Sequence, residues 1–147
     1  MPRYVAFLRG VGPANLKMPD LKRCLEIAGY TNVKTVLSSG NVAFDSASRS
    51  VAAIERRIEA ALTKEPGRSF YTIVRPLDQL NDLIEADPYA DFDLPIDAKR
   101  VVTFARKLRS LKSPLPVERH GAQILVAGSR EAFSAYVPSR EVRYSWS

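Results

Sequence analysis

Two apolar rhythms alternate along the first 76 residues of this 147-residue chain, and their order restricts the fold more than any motif does. YVAFL at 4–8 is apolar at every position, as in a strand covered on both faces or central in its sheet. From Met18 the spacing becomes helical through Met18, Leu21, Leu25 and Ala28, and Gly29 supplies the residue type that ends such a helix. VKTVL (33–37) and NVAFD (41–45) return to strand with only Ser38, Ser39 and Gly40 between them. They read as a hairpin with Val42 and Phe44 on one face. Ser48 or Ser50 can cap a second helix whose buried stripe is Val51, Ile54, Ile58, Ala61 and Leu62, with Pro66 and Gly67 stopping it. FYTIV (70–74) is a fourth strand.

Strand, helix, strand, strand, helix, strand is the split βαβ order of a ferredoxin-like α+β sandwich. Its spatial order is fourth, first, third, second strand, which makes YVAFL central. Past Pro76, Leu77, Leu80, Leu83 and Ile84 predict a third helix that stops near Asp87, because Pro88 disfavours helical backbone in the residue before it. The acidic and aromatic loop PYADFDLPID (88–97) leads to a strand, RVVTFAR (100–106), and then to a hairpin formed by PVER (116–119) and AQILVAG (122–128) around His120 and Gly121. Residues 130–137 are expected to form one or two helical turns, and EVRYSW a terminal strand or frayed tail. The expected division is a ferredoxin-like subdomain over 1–76 and a second, related but incomplete α+β subdomain over 77–147.

Composition narrows the function classes. With 46% hydrophobic residues the chain can build a core, and no stretch approaches the roughly 20 apolar residues of a membrane span. Residues 1–10 lack the apolar run of a secretion signal, so a cytoplasmic address and no membrane partner are the expectation. Cys24 is the single cysteine and lies on a helix, which favours a buried small side chain over a disulfide or zinc site. The net charge of +6 suits an anionic partner, but Arg56, Arg57, Lys99, Arg100, Arg106, Lys107, Arg109 and Lys112 are scattered, as on a solvated surface.

Topology gathers a candidate site. In a split βαβ unit the end of the first strand and the hairpin tip share one sheet edge, so Arg9 and Gly10 face Ser38, Ser39, Gly40 and Asn41. The first helix starts there with Lys17 and its unpaired N–H groups, and the fourth strand starts there near Arg68. Cations, hydroxyls, an amide and glycines at 10, 12 and 40 that let a ligand approach the backbone suit a carboxylate or phosphate, with Arg9 as a bidentate fork. Ser-Gly-Asn is also ordinary turn chemistry, in which Gly40 supplies positive φ. GVGPANLK (10–17) fits neither a Walker loop nor a dinucleotide fingerprint.

LRG (8–10), KMPDLKRCLEIAGYTNVKT (17–35), SSGNVAF (38–44) and YTIVRPLDQL (71–80) together resemble a bacterial family, domain of unknown function 1697. The resemblance implies two ferredoxin-like subdomains in tandem and brings no established activity or catalytic residue. Two stretches depart from it. Family members resemble RG-x-N-V-G-G-K-N after the first strand, where this chain reads RGVGPAN, and VPSREVRYSWS (137–147) matches neither the helix nor the threonine-arginine-tryptophan segment of the family. An unfinished second sheet would leave an edge open to pairing, hence the expectation of a homodimer.

Three function classes follow. The first is an uncharacterised module that binds a small anionic ligand at the sheet edge, without a cofactor. The second is a nucleic-acid-binding or regulatory protein, since ferredoxin-like sheets can present aromatics to bases, although no paired-aromatic RNA signature is present. The third is an enzyme. Asp87, Asp91, Asp93 and Asp97 lack the spacing of a calcium loop and read as a hydrated loop, Ser38 and Ser39 have no base nearby, and His120 reads as a turn residue. No catalytic or metal residue is assigned.

Overall fold

The computed structural model describes residues 1–12, 14–36, 40–64, 67, 69–94, 96–106, 117–119, 122–127 and 130–136. The chain divides into two compact units, Met1–Glu85 and Ala86–Ser147.

In the first unit β1 (Arg3–Leu8), α1 (Met18–Ile27), β2 (Thr31–Val36), β3 (Asn41–Asp45), α2 (Val51–Lys64) and β4 (Thr72–Pro76) follow in the expected order, and α3 (Leu77–Ala86) succeeds β4 directly. The sheet order is β2-β3-β1-β4 with every neighbouring pair antiparallel. Of the two explanations for YVAFL, the central position holds. Tyr4, Ala6 and Leu8 are buried while Val5 and Phe7 are half-buried on the other face, so the strand alternates despite its uniform sequence.

The helices form where caps and periodicity coincide. At the end of α1, Gly29 has φ 102°, its N–H donates to the Glu26 carbonyl, and the Tyr30 N–H donates to Leu25. These two bonds make a Schellman cap, which only a residue at ease with positive φ completes cheaply. The Ser50 Oγ accepts the Ala53 N–H at 3.2 Å and caps α2. Leu21, Cys24 and Leu25 of α1 and Ile54, Ile58 and Leu62 of α2 are buried with Val42, Phe44 and Val74 of the sheet in one core. Phe44 is its centre, 6.1 Å from the Tyr4 ring and 4.8 Å from the Tyr30 ring. Truncating such an aromatic to alanine costs about 3–5 kcal/mol.

Edge strand β4 has its outward amides occupied. The Val74 N–H donates to Glu55 Oε2 at 2.9 Å and the Thr72 N–H to Glu59 Oε1 at 3.2 Å, so two carboxylates of α2 seal that edge against another strand. At the opposite edge β2 carries an irregularity between Thr31 and Lys34, where Asn32 has φ 52°. Beside it Asp45 pairs with Arg3 at 2.9 Å and accepts from Asn32 Nδ2 at 3.3 Å. The hydrogen bond from Arg3 is the main cause that holds the Asp45 carboxyl below its ordinary range.

The second unit contains β5 (Lys99–Phe104), β6 (Val117–Arg119), β7 (Ala122–Ala127) and β8 (Glu131–Tyr136), ordered β5-β8-β7-β6 and antiparallel throughout. Residues 131–136 are therefore strand, which corrects the helical turns expected over 130–137. Strand β8 is hydrogen-bonded on both sides, and Phe133, Ser134 and Ala135 are buried there, so pairing overrides the helix preference of Glu131 and Ala132. Tyr89 anchors the acidic loop to this sheet. Its hydroxyl donates to the Val101 carbonyl at 2.7 Å and lies 3.1 Å from that of Ser134, its ring meets Phe133 edge-on at 6.0 Å, and burial pushes its phenol above the ordinary range. Together the units make an α+β protein of antiparallel sheets, compatible with the ferredoxin-like class.

Candidate functional site

The end of β1 is tied on both sides. The Leu8 N–H donates to the Gly40 carbonyl at 3.1 Å and the Arg9 N–H to the Tyr71 carbonyl at 2.9 Å, so Arg9, the base of the hairpin tip and the residue preceding β4 meet at one sheet edge. The register agrees, with Phe7 opposite both Asn41 and Ile73. Ser38, Ser39 and Arg68 lie outside the described residues, as does His120.

Arg9 is exposed, and its guanidinium carbon stands 5.6 Å over the centroid of the Tyr71 ring, itself 42% exposed. That distance is within cation–π range. Among the described residues no carboxylate pairs with Arg9 or with Lys17.

The loop after Arg9 is held by its own side chain. Asn15 Oδ1 accepts the Gly12 N–H at 2.8 Å, Asn15 Nδ2 donates to the Gly10 carbonyl at 2.8 Å, and the Leu16 N–H donates to Gly12 while its side chain is buried. Lys17 is exposed at the N-cap of α1 and makes no capping bond there. The helix terminus is a weaker anion seat than its position alone suggests, because Pro19 has no N–H to offer and Asp20 places a negative charge in the first turn.

The three glycines differ. Gly10 has φ 80° and a Cβ built there would meet nothing within 4 Å; the same space is empty at Gly12. At Gly40, with φ 89°, a Cβ would sit 2.9 Å from Val11 and 3.2 Å from the Leu8 Cβ. The space over Gly40 is thus filled by the protein itself, so this glycine serves packing and leaves no room for a ligand on that side. Asn41 is half-buried at the start of β3.

The model of a family described as a protein of unknown function (DUF1697) matches residues 1–128. The chain belongs to that family. A search of curated proteins finds no match for this DUF1697 member. Among solved structures it is similar to the conserved bacterial protein SP0830 from Streptococcus pneumoniae, at 20% identity and a TM-score of 0.66, over 96% of this chain and 79% of that one. At that identity the likeness speaks for the fold alone.

Two residues of the DUF1697 chain escaped the sequence reading. Tyr71 was legible only as strand, although its place at the start of the fourth strand put it on the edge that receives Arg9. Asn15 carried a signal in its spacing, an amide three residues after Gly12 in a loop, the pattern by which Asn closes side-chain to backbone turns. No group of acids, histidines and cysteines that could hold a metal occurs among the described residues, and no described helix is long and apolar enough to cross a membrane.

Proposed function

We propose that this sheet edge binds a small anion, a carboxylate or a phosphate, through Arg9, with Lys17 as a second cation and the backbone at Gly10 and Gly12 as the surface the ligand approaches. The hairpin residues Ser38, Ser39 and Asn41 and the cation Arg68 complete the proposed set. One observation carries the reading: a guanidinium with no carboxylate partner among the described residues lies within cation–π range of an aromatic ring, beside two glycines with open space above them. An arginine that receives a planar anion gains from being oriented beforehand, and the neighbouring ring restricts this one.

The test is a thermal shift series with inorganic phosphate, nucleotides and short carboxylates, run on the native chain and on Arg9→Ala. A ligand at 100 times its Kd stabilises the native fold by about 2.7 kcal/mol, and that gain is expected to vanish in the variant. Indifference of both proteins to every compound removes the proposal. Retention of single-stranded RNA that weakens steeply with salt would instead favour the nucleic-acid reading, with Tyr71 as the stacking platform.

A further inference from the structure

The outer surface between α1 and α2 holds a groove of about 570 Å³ whose lining includes Cys24, Ile27, Ala60 and Ala61. Small side chains at the helix contact leave the gap, and Ile27 stands 73% exposed beside it. Arg23, Arg57 and Lys64 also line the groove, against a single acid, Asp20. Such a trough selects an occupant with an apolar knob and negative charge around it.

A segment of that description exists in the same sequence. Helix α3 carries Asp78, Asp82 and Glu85 and no basic residue. The three acids follow helical spacing along one exposed face, and Ile84 next to Glu85 is 75% exposed, while Leu77, Leu80 and Leu83 are half-buried. None of its ten residues is buried. We infer that α3 of a second copy of this chain seats in the α1/α2 groove, with Ile84 entering beside Ile27 and the acids meeting Arg23, Arg57 and Lys64. In the inferred pair the seating is reciprocal, each copy's α3 in the other's groove, an isologous arrangement that closes at two subunits. It is independent of the anion reading, as it uses neither Arg9 nor the loop that follows it.

Charge reversal tests this directly. Variant one carries Arg23→Glu and Lys64→Glu; variant two carries Asp82→Lys and Glu85→Lys. Arg57 is left alone because it also lies 6.0 Å over the Tyr30 ring. Mass is followed by light scattering through a dilution series reaching about 1 mM, the concentration scale of the weakest interactions worth assigning. The native chain is expected to approach twice the single-chain mass, and each variant alone to stay at the single-chain mass. An equimolar mixture of the two is expected to regain the doubled mass, because both interfaces of the mixed pair again join opposite charges. Ile84→Asp probes the same contact without touching the groove and is expected to remain single. A native chain that stays single throughout, a mixture that does not regain the pair, or an Ile84→Asp protein that pairs like the native chain overturns the inference.

Discussion

Gly10 and Gly40 stand at the same sheet edge and both have positive φ, yet they answer to different pressures. The Gly40 region is a packed joint in which the Val11 side chain and Leu8 occupy the place a Cβ would take. The Gly10 region is open above the backbone and is kept in shape from below by Asn15. The difference teaches that a glycine-rich edge is not uniformly a binding surface. At Gly40 the edge is filled by its own side chains, and over Gly10 it is open.

Substitutions can break that contrast. The largest effect is expected for Gly40→Ala, which combines a strained φ with a close approach to Val11 and should cost about 3 kcal/mol in urea denaturation. In a Val11→Gly background, which removes both Val11 atoms that the new Cβ would meet, the same change should cost about 1 kcal/mol less than in the native chain, and an undiminished cost would show that this contact is not the reason for the glycine. Asn15→Ala removes two hydrogen bonds and should destabilise by about 1–2 kcal/mol. Gly10→Ala faces the φ penalty alone, about 1 kcal/mol; a loss as large as that of Gly40→Ala would erase the distinction between the two regions. Arg9→Ala should change stability by less than about 1 kcal/mol, its consequence lying in ligand response.

A pH titration sharpens the contrast with the far rim. Because the Asp45 carboxyl sits lower in the fold than its ordinary 3.8, its stabilising contribution is complete above that pH and is lost as pH falls through the folded value. Asp45→Asn should therefore flatten the stability curve below pH 3.8 while leaving the Arg9 edge unaltered, as read by amide exchange at Leu8 and Arg9.

Much of the first unit was legible because its signals are local and agree with one another. The stripe from Met18 to Ala28 and the Gly29 terminator agree on the bounds of α1, and of the two caps open to α2, Ser48 or Ser50, the structure uses Ser50. Residues 131–136 were misread for the opposite reason. Their helix-favouring composition is a local signal, while the two neighbouring strands that make them central come from Lys99–Phe104 and Ala122–Ala127, and nothing in six residues announces such partners. The burial of Glu55 was equally hidden, since its role depends on an amide nineteen residues away. The site is legible to the extent that topology decides it: the meeting of Arg9 with the hairpin follows from strand order, but the ring under its guanidinium does not.

Glu55 and Glu59 carry one more consequence. They stand four residues apart on a helix, an advance of about 6 Å, and their acceptors serve Thr72 and Val74, two residues apart on a strand, an advance of about 6.6 Å. The near-equality of these steps indexes α2 against β4 like a pawl against a rack, so sliding the helix by a single residue would disengage both teeth together.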